Sequence, residues 1–192
     1  DRNGDGGISY EQDRGYVGAA AYPKFVGGLS FSGDWKGIDL SFLFQAGLGR
    51  DVALTGVYSG GIMDNTQMTK PFYHGGNSPK YLVENSWRED NTNAEFPRLS
   101  IVQASSNNAY SSTFWYRSGD YLRLKNLQIG YTFPQKWMSR IGIDRLRIYF
   151  EGQNLWTVSE LTKFNIDPEQ PGVSNGYYPQ QRIFSFGVNL AF

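Results

Sequence analysis

The segment RIFSFGVNLAF, residues 182–192, alternates from Phe184 onward between apolar residues and small or polar ones. Successive side chains of a β-strand point to opposite faces, so this alternation predicts a strand with one apolar face. Its 11 residues match the roughly 9–11 residues that a tilted strand needs to cross a bilayer. The segment therefore predicts a strand of membrane-spanning length whose apolar face needs a non-aqueous neighbour.

Four other segments share this pattern and length, and they occupy residues 25–35, 38–49, 120–133 and 145–156. The first two are separated only by Lys36-Gly37, a tight-turn signal that predicts a hairpin. A shorter strand is predicted over 113–117. Within 120–133, Leu122 and Leu124 fall on the opposite parity to the apolar residues after them. This slip near Lys125-Asn126 predicts either a bulge or a strand that emerges there from lipid into a loop region.

The connections between these strands alternate in length, short at 36–37 and 134–144 and long at 50–112 and 157–181. Outer-membrane barrels show this asymmetry, with short periplasmic turns and long outer loops. Five strands cannot close a barrel, since single-chain bacterial barrels have roughly eight or more. The fold class predicted is thus all-β, the last five or so strands of a larger antiparallel transmembrane barrel with long extracellular loops. The alternative is a soluble β-sandwich, which would bury the apolar face under a second sheet.

Aromatic residues gather at the end of the predicted sheet that has the short connections: Trp35, Tyr131, Phe133, Trp137 and Phe192. Tyrosine and tryptophan are enriched where a membrane meets water, so this grouping favours an interfacial girdle.

The residue at position 1 is Asp and the sequence shows no signal peptide. We therefore expect residues 1–192 to be a single segment of a longer protein, with any targeting signal upstream.

The composition excludes several classes of function. The 192 residues contain 18 Lys+Arg and 18 Asp+Glu, so the charge balance offers no argument for nucleic-acid binding. The absence of Cys excludes disulfide scaffolds and thiolate metal sites. His74 is the one histidine, and no spacing of loop acids selects a catalytic pair, so no enzyme activity is predicted.

One motif indicates a metal site. Asp1-x-Asn3-x-Asp5-Gly6-x-Ile8 begins as a calcium loop does, with oxygen ligands at alternate positions and a glycine at the sharp turn. The twelfth position should hold a bidentate acid, but it is Gln12, and Asp13 comes one residue late. The motif therefore has two interpretations, a calcium site at Asp1, Asn3 and Asp5 or a polar turn, and no other cofactor is predicted.

Five segments together resemble the carboxy-terminal part of the SusC/RagA-type TonB-dependent outer-membrane transporters of Bacteroidetes. They are DRNGDGGIS (1–9), GGLSFSGDWKGIDLSFLFQAGLG (27–49), SGDYLRLKNLQIGYTFP (118–134), LRIYFEGQNLWT (146–157) and YYPQQRIFSFGVNLAF (177–192). The resemblance implies a barrel of about 22 strands, plugged by an amino-terminal domain that this chain lacks. It also implies a bacterial outer-membrane location, lipid against the apolar face, a SusD-like surface lipoprotein as partner, and TonB acting through the missing amino-terminal part.

The leading hypothesis for function is TonB-dependent import of oligosaccharides or peptides. Polar side chains of the strands would then line the lumen: Ser30, Ser32, Asp39, Gln45, Gln128, Arg145, Arg147, Glu151, Gln153 and Asn189. Aromatic residues in the loops are the candidates for contact with substrate, namely Trp87, Trp115, Tyr116, Tyr177 and Tyr178. The alternative function is a non-transporting surface protein, such as an adhesin or a secreted calcium-binding β-domain. The sequence does not name the substrate.

Overall fold

The computed structural model describes residues 1–54, 79–99, 112–171 and 180–192. Its main feature is a five-stranded antiparallel sheet in the order β1-β2-β5-β6-β7. These strands are β1 (Phe25–Trp35), β2 (Ile38–Leu48), β5 (Tyr121–Thr132), β6 (Arg145–Ser159) and β7 (Ile183–Ala191). They are the five strands predicted from alternation. Within the described part of the chain β1 and β7 are edge strands, so the sheet is open.

Smaller elements occupy the connections. A two-stranded sheet joins β3 (Asp51–Ala53) to β4 (Tyr116–Ser118). The α-helices are α1 (Lys80–Glu84) and α2 (Gln135–Met138), and 3-10 helices cover Thr113–Trp115, Ser139–Ile141 and Glu160–Phe164. None of the helices in the described ranges is long or apolar enough to cross a membrane.

The strand predicted over 113–117 is wrong for its first part. Residues 113–115 form a 3-10 turn, in which the Trp115 backbone N–H donates to the Ser112 carbonyl at 3.1 Å. The strand β4 begins only at Tyr116. Burial of the Trp115 ring, which is 3 % exposed, overrides the local preference of these aromatic and β-branched residues for a strand.

The apolar face of the large sheet lies open in the described part of the chain. Phe31 and Phe42 stack across β1 and β2 with ring centroids 5.4 Å apart, and Phe150 and Phe186 lie 5.2 Å apart across β6 and β7. Phe186 nevertheless remains 83 % exposed and Ile129 44 %. A contiguous apolar surface of this kind marks a membrane or a protein partner. The sandwich alternative, which requires a second sheet over this face, is not supported.

The bulge, one of the two explanations predicted for the slip in parity near Lys125, is confirmed. Leu43 of β2 pairs with Asn126, and the next residue, Phe44, pairs with Leu124, so Lys125 is the extra residue on β5. One inserted residue reverses the parity of a strand. Leu124 therefore lies on the same apolar face as the alternating residues after the bulge. The apolar face is continuous because of the slip in the pattern.

The neighbouring strand β6 accommodates the bulge with a further irregularity. Gln153 pairs with Asn126 and Trp156 with Leu124. Between these two pairs β6 has two unpaired residues and β5 has one. Asn154 lies within this stretch at φ 52°, a left-handed conformation that asparagine tolerates better than most residues. Its side-chain amide donates to the Gln181 carbonyl at 3.1 Å. This irregularity explains why Leu155 interrupts the polar face predicted for the strand.

The buried core lies outside the sheet, among the loops at one end. It consists of Val52, Leu54, Leu82, Phe96, Trp115, Leu161, Phe164 and Ile166, here called the loop core. Phe96 is at its centre, and its ring lies 6.2 Å from that of Trp115 and 6.4 Å from that of Phe164. The loops therefore form a packed unit of their own, as the length of the 50–112 and 157–181 connections suggests.

Phe96→Ala should destabilise the loop core without opening the sheet. Phe96 is 1 % exposed, and removal of a buried phenylalanine ring typically costs about 3–5 kcal/mol. Amide hydrogen exchange should accelerate at residues 161–166 and stay unchanged in the paired part of β6. Phe186→Ala, which removes a ring from the exposed face, is the matched control and should leave exchange in the loop core unchanged. Equal acceleration in both variants would contradict a separate loop core.

Candidate functional site

The polar face of the sheet carries an ion pair that spans three strands. Arg147 of β6 reaches over β5 to Asp39 of β2, with its Nε atom 2.9 Å from the Asp39 Oδ2 atom. The same guanidinium also donates to Gln128 of β5 at 3.4 Å and lies 4.7 Å from the Tyr149 ring centroid. Three residues predicted to line the lumen, Asp39, Gln128 and Arg147, are therefore brought together.

Gly130 makes this contact across β5 possible. It pairs with Asp39 on one side and with Tyr149 on the other. A Cβ atom at Gly130 would lie 2.4 Å from the Asp39 carboxylate and 2.6 Å from the Arg147 guanidinium. The absence of a side chain here leaves the space that the ion pair occupies, so this glycine belongs to the polar face as much as the charged residues do.

The strand registers place other predicted lumen residues in one row on the same face. Ser32 pairs with Ser41, Ser41 with Gln128, Gln128 with Glu151, and Glu151 with Ser185. Asn189 pairs with Arg147 at the end with the short connections. The alternation correctly predicted which residues share a face, because neighbouring strands keep their side chains in register.

A second charged cluster lies on this face near the loop core, and its centre, Arg123, was not among the residues predicted. Arg123 is 3 % exposed. Its guanidinium donates to Thr157 at 2.9 Å, to Gln180 at 2.8 Å and to Asp167 at 2.8 Å. Simple alternation puts Arg123 on the apolar face of β5. The extra residue at the bulge reverses the parity, so Arg123 lies on the polar face.

Glu169 is the other centre of this cluster. Its carboxylate accepts hydrogen bonds from Arg123 and, at 3.1 and 3.2 Å, from the Lys125 ammonium. Tyr121 donates from its hydroxyl at 3.5 Å and in turn accepts from the Gln45 amide at 3.1 Å. Loss of one partner from such a buried charge pair typically costs about 3–5 kcal/mol. The cluster thus binds the segment after the 3-10 helix Glu160–Phe164 to the wall of the sheet.

The candidate aromatic residues have different environments. Trp115 lies in the loop core, where its ring packs on Phe96 and Phe114 and is 3 % exposed, so packing explains this residue better than contact with a substrate. Trp87 is 38 % exposed and Tyr116 is half-buried. Tyr177 and Tyr178 lie outside the described residues. Substrate contact by the accessible rings of Trp87 and Tyr116 stays a prediction.

Glu95 joins charged and phenolic groups on the surface of the loop core. It accepts hydrogen bonds from Tyr81 at 2.7 Å, Arg117 at 3.0 Å and Lys163 at 3.4 Å. Burial acts to raise the pKa of Glu95, but these donors outweigh it and the pKa is lowered overall. The Glu95 carboxylate in turn raises the pKa of the Tyr81 hydroxyl. Glu95 therefore remains charged at neutral pH and cross-links the loops.

The segment with the calcium-like motif forms a tight turn. Asp1 accepts from the Gly4 and Gly6 backbone N–H groups at 2.6 and 2.9 Å, and Asp5 accepts from that of Gly7 at 2.8 Å. Asn3 accepts from the Asp5 N–H at 3.1 Å. In the described residues no group of three or more His, Cys, Asp or Glu side chains is arranged to hold a metal ion. Calcium binding at Asp1, Asn3 and Asp5 stays a prediction.

Comparison with known proteins gives a consistent result. No protein-family model matches the chain. The TonB-dependent receptor P3 of Formosa agariphila is 29 % identical over 205 residues, a match that covers 100 % of this chain and 18 % of that receptor. The TonB-dependent receptor SusC of Bacteroides thetaiotaomicron is 26 % identical over 195 residues, covering 100 % of this chain and 17 % of SusC.

A solved structure agrees with these relatives. The RagAB peptide importer in its closed-closed state superposes with a TM-score of 0.62 and 26 % identity, over 92 % of this chain and 18 % of the matched chain. The chain is related to the SusC/RagA-type TonB-dependent receptors. The resemblance stated from the sequence is thereby confirmed, and the open antiparallel sheet is a segment of the barrel that these SusC/RagA-type proteins form. The chain spans less than a fifth of the curated relatives that it matches.

The turn at residues 1–13 should depend on Asp13. The backbone N–H groups of Ser9 and Arg2 donate to its carboxylate at 2.6 and 2.5 Å and lower its pKa. A carboxyl group with a lowered pKa contributes stability above its unfolded-state pKa, and that stability is lost as pH falls through the folded-state value. Hydrogen exchange at the Ser9 and Arg2 amides, corrected for intrinsic pH dependence, should therefore lose protection in acid.

Asp13→Asn should reduce the protection of these two amides at neutral pH, since the amide side chain keeps only one oxygen acceptor. Glu11→Gln is the matched control, because it removes the same charge from the same turn. Full protection of both amides in Asp13→Asn at neutral pH would show that the carboxylate does not hold the turn.

Proposed function

We propose that the chain is part of an outer-membrane importer that takes up oligosaccharides or peptides with energy supplied through TonB. The observation that carries this proposal is the match to TonB-dependent receptors along the whole chain, combined with an open sheet whose apolar face remains exposed. Lipid would cover the apolar face, and the polar face with the Asp39–Arg147 ion pair would line the lumen. The relatives are receptors and transporters, and the proposal includes no catalytic step.

The loop core supports a role at the outer surface. It lies at the end of the sheet that has the long connections, which in outer-membrane barrels is the extracellular end. Its packing and the Glu95 cross-links would hold exposed rings such as Trp87 in fixed positions for a ligand or a partner. We propose a SusD-like surface lipoprotein as that partner, because long outer loops of this kind offer a surface on which such a lipoprotein could rest.

The two substrate classes have separate support. One structural neighbour is a peptide importer. Aromatic side chains next to amide and carboxylate groups, as around Trp87, suit sugar rings as well. Both classes therefore stay within the proposal. The residues of this chain that would meet either substrate are those of the polar face and the loop surface.

The proposal is tested with the complete gene product in its own bacterium. Deletion of the gene should abolish uptake of one class of fluorescently labelled substrate, either oligosaccharides or peptides. In the undeleted strain the protein should fractionate with the outer membrane and require detergent for extraction. Deletion of TonB should abolish the same uptake while leaving the protein in place. Deletion of a neighbouring SusD-like gene should lower uptake at limiting substrate.

Two outcomes would contradict the proposal. A protein that stays monodisperse without detergent would contradict the barrel. If the protein is located at the cell surface and deletion of its gene leaves uptake unchanged, an adhesin would be supported instead.

The Phe186→Asp variant gives a sharper test of lipid contact, because a charge on the lipid-facing surface impairs insertion in a depth-dependent way. Ser185→Asp, on the opposite face of β7, is its matched control.

A further inference from the structure

The Glu169 carboxylate is held as a bound ligand would be. Arg123 and Lys125, two cations from β5, both donate to it, and the Tyr121 hydroxyl lies 3.5 Å from its Oε1 atom. The Tyr121 hydroxyl is itself positioned by Gln45 of β2 at 3.1 Å. Three side chains of β5, one of them positioned by Gln45, therefore surround one carboxylate that comes from a connecting segment.

Arg123 has other partners besides Glu169. Its buried guanidinium donates to Thr157 of β6 at 2.9 Å and to Asp167, on the same connecting segment as Glu169, at 2.8 Å. The charge of Lys125, whose side chain is 25 % exposed, then has Glu169 as its partner. If Glu169 withdrew, the strands would present a net positive charge and converging donors on the polar face, and such groups favour an anion strongly when they are partly desolvated.

The segment that supplies Glu169, residues 165–171, belongs to no helix or strand. Ile166 anchors the segment in the loop core, and Arg50 donates to the Pro168 carbonyl at 3.3 Å. The Glu169 side chain itself contacts the sheet through Arg123, Lys125 and Tyr121, and 14 % of it is exposed.

We propose that Arg123, Lys125, Tyr121 and Gln45 form a carboxylate-binding site on the polar face, and that Glu169 is its internal ligand. A substrate that bears a carboxylate takes the place of Glu169 as it passes. This inference rests on the proposed function, because it requires the polar face to line the transport path. The ligand chemistry is a carboxylate, whose source is an acidic peptide or an acidic sugar.

The experiment measures equilibrium binding to the complete protein, purified in detergent. The peptide probe is an oligo-glutamate with amidated terminus, paired with its oligo-glutamine counterpart. The sugar probe is an oligogalacturonate, paired with its methyl ester. Each pair keeps its backbone and differs only at the carboxylate group, so the ratio of charged to neutral affinity reports on the site, and the two pairs distinguish the two sources.

Glu169→Ala empties the site and should raise the charged-to-neutral ratio about tenfold for one pair, a size within the range of close charge pairs. Glu169→Gln removes the charge while keeping the shape, and it serves as the second variant if the alanine protein does not fold. Glu160→Ala is the matched control, since Glu160 pairs with Arg117 and Lys163 away from the site. Adding Lys125→Met to either Glu169 variant should remove the gain.

An unchanged ratio in both Glu169 variants would overturn the inference and leave the cluster a structural ion pair. A gain that persists with Lys125→Met, or that appears equally in Glu160→Ala, would overturn it as well. These outcomes are separate from failure of the proposed function, because binding in detergent does not depend on TonB. Loss of the proposed function would appear instead as unchanged uptake of every substrate after gene deletion in cells.

Discussion

The exposed apolar face of the sheet is the constraint on which the rest of the structure depends. Water makes such a face unfavourable by about 25 cal/mol for each Å², and the described residues place no second layer over it. The packed residues are instead in the loop core at one end. A sheet that leaves its own apolar face open can be stable only where another medium covers it. This explains why the hydrophobic side chains of the sheet lie on an exposed face and not in a buried core.

The polar face follows from the same alternation but needs additional chemistry. Charges on it are partly removed from water, so each must have a partner. Asp39 and Arg147 meet across β5 because Gly130 leaves room between them. Arg123 is deeper and is satisfied by strand, loop and connecting segment together. The two clusters hold the polar face at its two ends, one within the sheet and one between the sheet and the loops.

Sequence reasoning succeeded where a residue's role depends on near neighbours in the chain. The five strands and the bulge at Lys125 follow from spacing of two residues, a local property. It failed where packing from distant segments decides. Trp115 seemed a loop ring open to ligands, but it is buried among residues from the two long connections. Arg123 was missed because the bulge shifts its parity, and nothing in the sequence spacing predicts that it meets Asp167 and Gln180, which are more than forty residues away.

The sequence by itself determined the strands, the faces that their residues share and the relationship to SusC/RagA-type receptors, because alternation of period two is written directly in the order of residues. Only the tertiary structure decided which side chains pair across strands and where the core lies. It showed that the bulge preserves the apolar face, and that Arg123 and Lys125 of β5 both donate to the Glu169 carboxylate. Such contacts depend on register and on chain closure over long separations, and no local pattern encodes them.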